Sequence, residues 1–145
     1  MKIVEGSITE AVAISRQIPN FHNPPDEIAY EKRLKDVPHL VLIAYDGDQP
    51  LGFKVGYERD GYFYSWMGGV LPAHRRKGVA KALSDAQEEW AKKHNYFSIT
   101  FKTRNQNKAM LLFAIGNGFD IIGFEEKEDV STNRIWLRKT LLEVI

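Results

Sequence analysis

The stretch that decides the fold is Val70-Leu71-Pro72-Ala73-His74-Arg75-Arg76-Lys77-Gly78-Val79-Ala80. It follows a strand-like run and opens an amphipathic helix, and its centre reads Arg75-x-x-Gly78-x-Ala80. The free amides of a first helical turn point at an anion, and the helix dipole favours one. Gly78 and Ala80 let the backbone approach closely. The stretch therefore predicts a phosphate site, and a solvated basic loop is the competing interpretation.

The bulk composition is that of a globular chain. With 145 residues, 43% of them hydrophobic, we expect one domain spanning residues 1–145. The net charge of +1, from 20 basic and 19 acidic residues, disfavours a protein that coats nucleic acid. The absence of cysteine excludes disulfides, thiolate nucleophiles and cysteine-ligated metals. Without a membrane-length apolar run or a signal-peptide core, we expect a cytoplasmic protein with no membrane or nucleic-acid partner.

Hydrophobic spacing and turn residues predict the order of helices and strands. Helices are expected over 7–18, 26–35, 79–93 and 107–116. Strands are expected over 40–45, 51–58, 62–70, 96–102, 119–124 and 133–139. The strand-helix-strand unit in the middle predicts a mixed sheet, because the other connections suit antiparallel hairpins. The predicted anion site lies at the carboxyl end of the strand that starts this unit, where open α/β sheets bind ligands.

Two spaced motifs make the chain similar to the Gcn5-related N-acetyltransferase (GNAT) family. That family carries Arg/Gln-x-x-Gly-x-Gly/Ala after a strand ending in Val-x-Pro, which is the stretch quoted above. It also carries an asparagine, an alanine and an aromatic residue on a short helix before Gly-Phe, matched here by Asn107, Ala109, Phe113 and Gly118-Phe119. The resemblance implies a three-layer α/β (α+β) fold, a mixed and mostly antiparallel sheet flanked by about four helices.

The resemblance further implies acetyl-CoA as co-substrate and no metal. The amides from Arg76 to Ala80 would bind its pyrophosphate, strand 66–70 would pair with the pantetheine arm, and the strand from Tyr96 would splay away to open a slot. Asn107 would contact the cofactor arm, cap the following helix, or do both. The cofactor-binding residues implied are Gly69, Val70, Leu71, Arg75, Arg76, Lys77, Gly78, Val79, Ala80, Asn107 and Phe113.

The catalytic groups of many relatives are missing here. Their glutamate base is replaced by Tyr64, a poor base with an ordinary pKa of about 10. Tyr64 is the candidate for a water relay or a substrate contact, and an aromatic lining the sheet is the alternative. Their tyrosine acid falls on Phe113 or Ala114, neither of which has a hydroxyl. By family analogy the Gly68 amide, or that of Gly69, is the candidate oxyanion donor.

These features together predict an N-acetyltransferase that transfers an acetyl group from acetyl-CoA to the amine of a small molecule or peptide by direct attack on the thioester. The alternative is a CoA-binding sensor or regulatory module with little or no catalysis. The acceptor is not predicted, and a homodimer is left open. Glu58 and Lys54 share the polar face of one strand, so a surface ion pair between them is expected.

Overall fold

The computed structural model describes residues 1–142, which form one mixed seven-stranded sheet in the order β1-β2-β3-β4-β5-β7-β6. The helices are α1 (Ile8–Ser15), α2 (Glu27–Leu34), α3 (Val79–Lys93) and α4 (Lys108–Gly116). The strands are β1 (Lys2–Glu5), β2 (His39–Asp46), β3 (Gln49–Arg59), β4 (Tyr62–Val70), β5 (Ser98–Arg104), β6 (Asp120–Glu125) and β7 (Arg134–Thr140).

Local capping signals start the first two helices. The Ser7 hydroxyl accepts from the Glu10 amide and the Glu10 carboxylate accepts from the Ser7 amide, which is a complete capping box. The Asp26 carboxylate accepts from the Ala29 amide at 2.8 Å and starts α2. α3 begins after Gly78, which makes no side-chain cap in the described chain, so its first amides stay free for other partners.

The sheet separates two apolar layers. α1 and α2 cover one face, where Val12, Ile14 and Tyr30 pack against Phe53 and Val55 of β3. α3 and α4 cover the other face, where the packed residues include Leu83, Ile99, Leu111 and Leu137. β4 and β5 pair in parallel and the remaining neighbours are antiparallel, so the mixed sheet predicted from the sequence is confirmed. Within residues 1–142, no helix combines the length and apolarity needed to cross a membrane.

One strand was missed and two local expectations were wrong. β1 was not predicted, because four residues give too short an alternation to be recognised, yet Lys2 to Glu5 pair with β2. β5 begins at Ser98 and not at the predicted residue 96; Tyr96 is buried outside the strand, and Phe97 is 47% exposed. The predicted pair of Glu58 with Lys54 is absent from the described chain, because Glu58 accepts instead from the Tyr96 hydroxyl at 3.0 Å.

Candidate active site

A cleft of about 550 Å³ opens where β4 and β5 separate. Within the described chain the two strands pair at two positions, Phe63 with Ile99 and Tyr64 with Thr100. β4 then continues to Val70 with no strand partner on that edge among residues 1–142. A register shift between β3 and β4 leaves Trp66 as an extra residue, which is a β-bulge that bends β4 at the cleft. The expected splayed slot is therefore present.

The turn before α3 presents a row of free amides. The backbone amides of residues 76–81 donate to no acceptor within residues 1–142. Arg76 and Gly78 both adopt left-handed backbone, with φ of 61° and 82°. A non-glycine residue in this region is uncommon and is typical of functional turns, and successive amides in such turns form anion-binding concavities. The turn over residues 75–80, here called the anion turn, thus has the geometry of an anion site.

The structure brings most of the predicted cofactor residues together. Six of them line the cleft, namely Gly69, Val70, Arg75, Ala80, Asn107 and Phe113. Gly68, from the predicted catalytic pair, lines it as well. A smaller hollow of about 230 Å³ beside the turn is lined by Arg76, Gly78 and Val79, and also by His74. Phe113 and Val70 line both spaces, so they join the turn to the cleft. Lys77 lines neither space among the described residues.

Comparison with known proteins decides the family. The sequence model of the Acetyltransferase (GNAT) family matches residues 9–119, which is most of the chain. This chain belongs to the GNAT family. The family predicted from the two motifs is confirmed, and the protein is an acetyltransferase of that family. No curated protein matches it in sequence.

Solved structures show how widely the fold of this GNAT acetyltransferase is shared. The ribosomal-protein-S18-alanine N-acetyltransferase from Escherichia coli matches with a TM-score of 0.83 and 14% identity, over 99% of this chain and 95% of that one. A protein assigned as a streptothricin acetyltransferase from Bacillus anthracis, solved with acetyl coenzyme A, has 27% identity and a TM-score of 0.69. That match covers 77% of this chain and 67% of the other. IAA acetyltransferase from Bacillus cereus matches with a TM-score of 0.78 and 21% identity, over 97% of this chain and 99% of that one. The predicted fold is confirmed.

Leu71 does not fit the predicted cofactor contact in this GNAT chain. Its side chain is 7% exposed and packs in the core under α1 and α2. Its amide donates to the Leu51 carbonyl at 2.9 Å, and its own carbonyl accepts from the His74 amide at 2.9 Å. Both backbone groups are therefore engaged inside the protein, because β4 ends there and a short 3₁₀ turn begins at Pro72.

Arg75 connects the turn to the loop between α1 and α2. Its Nε donates to the Val70 carbonyl at 3.2 Å and a terminal nitrogen donates to Asn20 Oδ1 at 2.7 Å. Phe21, the next residue in that loop, lines the cleft. The Asn20 contact could not be predicted from the sequence, because the two residues lie 55 positions apart. Arg75 therefore holds the loop against the anion turn as well as lining the cleft.

Asn107 lines the cleft from the N-cap position of α4. Its carbonyl accepts from the Leu111 amide at 3.0 Å, but its side chain makes no capping bond in the described chain. Its Nδ2 instead donates to Thr103 Oγ1 of β5 at 3.1 Å. With the amide nitrogen used in this way, the Asn107 Oδ1 is left to accept from a group in the cleft. The polar contact to a cofactor arm stays a prediction that this placement supports.

Tyr64 lies apart from the cleft that the described residues form. Its side chain is 3% exposed and packs edge-on against Tyr57, with ring centroids 5.6 Å apart, and beside Trp136 at 6.3 Å. Burial raises the pKa of the Tyr64 phenol above its ordinary value, despite the opposing effect of Arg59. This placement disfavours Tyr64 as a base or proton relay and favours the alternative, an aromatic residue that packs on the sheet.

A Tyr64→Phe variant is therefore expected to keep at least about half of the native kcat/KM, because the ring packing is retained and only a phenol with a raised pKa is removed. Steady-state kinetics with acetyl-CoA and a productive amine, repeated from pH 6 to 9, tests this. The shape of the pH profile is also expected to be unchanged. A loss in kcat beyond tenfold, or the disappearance of a titration from the profile, would restore Tyr64 as a proton-transfer residue.

Polar residues that were not predicted as site residues also line the cleft. They are Lys54 of β3 and Ser84 and Gln87 of α3. Lys54 lies opposite Gly68 in the β3–β4 register, and its Cγ is 3.5 Å from where a Cβ of Gly68 would be. Burial lowers the pKa of Lys54 to about 8, although Glu88 opposes this. The sequence feature that could have identified these residues is the pair Ser84 and Gln87, which are polar on the otherwise apolar inward face of α3.

These residues fit a long polar ligand such as acetyl-CoA. The Gln87 side chain is 2% exposed, and its Nε2 has no hydrogen-bond partner within the described residues. A buried amide without a partner is costly, so a ligand that accepts from it in the cleft would relieve that cost. The unpaired edge of β4 offers further backbone groups beside it. The free amides of the turn lie at one end of the same space, where a phosphate would be held.

Proposed function

We infer that this chain is a cytoplasmic enzyme that transfers an acetyl group from acetyl-CoA to an amine of a small molecule or peptide, as one domain spanning residues 1–145. The observation that carries the proposal is the continuity between two features. The slot between β4 and β5 passes into the turn whose amides from residue 76 to residue 81 are free within the described chain. A ligand such as acetyl-CoA suits both features, because its pyrophosphate would lie at the turn while its thioester, a pantetheine length away, would lie in the slot.

The donor would be bound by backbone more than by side chains. The turn amides, with Arg76 and Gly78 in left-handed backbone, would hold the pyrophosphate. The free edge of β4 from residue 65 to residue 70 would pair with the amides of the pantetheine arm. Gln87 would donate its free amide hydrogen in the cleft, and Asn107 would accept there. When bound, acetyl-CoA supplies an activated acyl group with a thiolate as leaving group.

The reaction then requires little from side chains. The neutral amine attacks the thioester carbonyl carbon, a nitrogen–carbon bond forms, the carbon–sulfur bond breaks, and the amine loses a proton to water while the thiolate leaves. The Gly68 amide, on the cleft-lining part of β4, would donate to the carbonyl oxygen as negative charge develops there. The burial of Tyr64 and the lack of a hydroxyl at Phe113 and Ala114 support a mechanism without a side-chain acid.

Calorimetric binding of acetyl-CoA, followed by a thiol-release assay over a panel of amines, tests this function. We expect binding and thiol release that depends on the amine, with the acetylated amine detected by mass spectrometry. Binding without release over the whole panel would favour the alternative, a CoA-binding sensor. Absence of CoA binding by a sample that circular dichroism shows to be folded would reject both hypotheses, the acetyltransferase and the CoA-binding sensor.

A further inference from the structure

Four cationic side chains lie close together beside the cleft, three of them over aromatic rings and the fourth near enough to Lys102 to affect its pKa. They are Arg33 of α2, Arg59 of β3, Lys102 of β5 and Arg134 of β7, here called the basic cluster. The Arg33 guanidinium lies 4.7 Å from the centroid of the Trp66 ring. The Arg59 guanidinium and the Lys102 ammonium lie 5.9 Å and 5.2 Å from the ring of Trp136.

Within the described residues the basic cluster makes no ion pair, and Glu125, opposite Arg134 in the β6–β7 register, is the carboxylate that acts on Lys102. In the described part of the chain the ion pairs involve other cations, Lys81, Lys127 and Lys139. The nearby carboxylate of Glu125 already accepts from Trp136 Nε1 at 3.0 Å and pairs with Lys127 at 3.4 Å. Burial, with further contributions from Arg134, Arg59 and Arg33, lowers the pKa of Lys102, although Glu125 opposes this. The cations are thus held together at an electrostatic cost that a bound anion would remove.

The basic cluster also borders the route by which an acceptor would arrive. Lys102 and Trp66 line the cleft itself. Residues 100, 102 and 104 of β5 pair with residues 138, 136 and 134 of β7, so Lys102 shares a face with Trp136 and Arg134. That face is the one covered by α1 and α2, whereas the anion turn leads into α3 on the opposite face. The donor and the cluster therefore approach the slot from opposite sides of the sheet.

We propose that the acceptor is an amine that carries an anionic group, a carboxylate or a phosphate, and that the basic cluster binds this group while the amine enters the slot. The proposal rests on the proposed function, since it names the acceptor class of the same site. Two guanidiniums suit such an anion because their planar forks donate paired hydrogen bonds to carboxylate or phosphate. Lys102, the cluster member that lines the cleft, would lie closest to the reacting end.

The aromatic rings beneath the cluster keep it in place without neutralising it. Arg33 lies over Trp66 and its NH1 donates to the Tyr57 hydroxyl at 3.3 Å, while Arg59 lies 5.1 Å from the ring of Tyr64. Such contacts orient a guanidinium and leave its other donors free. Carboxylate partners would have fixed the same side chains but cancelled their charge. A cationic acceptor such as a polyamine would instead be repelled from this entrance.

The test compares amines that differ in charge. The panel contains β-alanine against β-alaninamide, phosphoethanolamine against ethanolamine, a Gly-Glu-Glu peptide against Gly-Lys-Lys, and spermidine. We expect at least one anionic member to exceed its match by about tenfold in kcat/KM, mainly through KM. The anionic amine with the highest kcat/KM identifies whether the anion is a free carboxylate, a phosphate or an acidic peptide. Equal or higher activity on the neutral or cationic members would overturn the proposal and leave the acetyltransferase function intact.

Variants locate the effect and supply a readout apart from turnover. Arg59→Gln and Lys102→Gln are each expected to raise KM for the anionic amine about tenfold and to lower the preference for it over the neutral match. Arg59→Gln, at a residue outside the cleft lining, should also leave the Kd of acetyl-CoA unchanged. Lys93→Gln, at an exposed position at the end of α3, is the matched control. It is expected to change neither the KM of the anionic amine nor the Kd of acetyl-CoA. Calorimetry of the preferred anionic amine with the CoA-bound protein should show the same losses. Unchanged binding in both cluster variants would contradict the proposal, whereas failure to bind acetyl-CoA would refute the proposed function itself.

Discussion

A Gly78→Val enzyme is expected to bind acetyl-CoA about 30- to 100-fold more weakly than the native chain, because a β-branched residue in left-handed backbone costs about 1–3 kcal/mol. Gly78 has φ of 82°, and no atom lies within 4 Å of the position that a Cβ would take. The glycine is therefore required by the backbone conformation and not by packing. If the turn relaxes to relieve the strain, its amides leave the arrangement that would hold the pyrophosphate.

The control for this prediction is Gly61→Val in the turn between β3 and β4. Gly61 has φ of 86° and equally open surroundings, but it lies at the opposite end of β4 from the anion turn. Both variants should lose similar stability in urea unfolding, whereas only the change at Gly78 should raise the Kd measured by calorimetry. An unchanged Kd for Gly78→Val, with the protein folded, would contradict the placement of the pyrophosphate.

A Lys54→Met variant is expected to be more stable than the native chain by about 2 kcal/mol at pH 7. Burial lowers the pKa of Lys54 from 10.5 to about 8. Below pH 8 the ammonium is charged in both states, so the folded state carries the full cost. Between pH 8 and 10.5 the folded protein loses this proton before the unfolded chain does, so native stability rises there. The advantage of the methionine variant should therefore shrink as the pH increases through this range.

Urea unfolding of both proteins at pH 7 and pH 9.5 measures this difference. Lys81→Met provides the comparison, because Lys81 is an exposed α3 lysine paired with Asp85 at 2.6 Å and its removal should change stability little. A destabilised Lys54→Met protein, or a stability difference that does not narrow at high pH, would show that the ammonium is well compensated. A charge kept in the cleft at a cost to stability is typical of residues retained for a functional reason.

The parts of the fold that the sequence predicted are those with local signals. β4 and α3 were predicted with the boundaries that the structure shows, because a turn with Asp60-Gly61, a clear alternation and a strong helical periodicity mark them. The caps Ser7 and Asp26 lie at the first residues of the two helices predicted over 7–18 and 26–35. The family motifs added the slot between β4 and β5, which no local pattern could have shown.

The features that were missed depend on contacts between distant segments. β1 exists because β2 offers it an edge, and Lys2 to Glu5 carry too little pattern of their own. The Arg75 contact with Asn20, and the proximity of Lys102 to Arg59 and Arg134, result from the tertiary arrangement. Tyr64 was assigned by its position in the motif, but the side chain lies with Tyr57 and Trp136 because of the face of β4 that it occupies.

The two-residue junction between β4 and β5 divides the sheet into two backbone ladders, β1–β4 and β5–β7. Among the described residues, the two ladders are paired only near Phe63 and Tyr64. The apolar cluster under α3 and α4 contains residues of both ladders, so side-chain packing joins them where the backbone does not. Amide hydrogens on the free edge of β4 should exchange rapidly in the ligand-free enzyme, and a bound pantetheine arm would act as the missing strand that slows them.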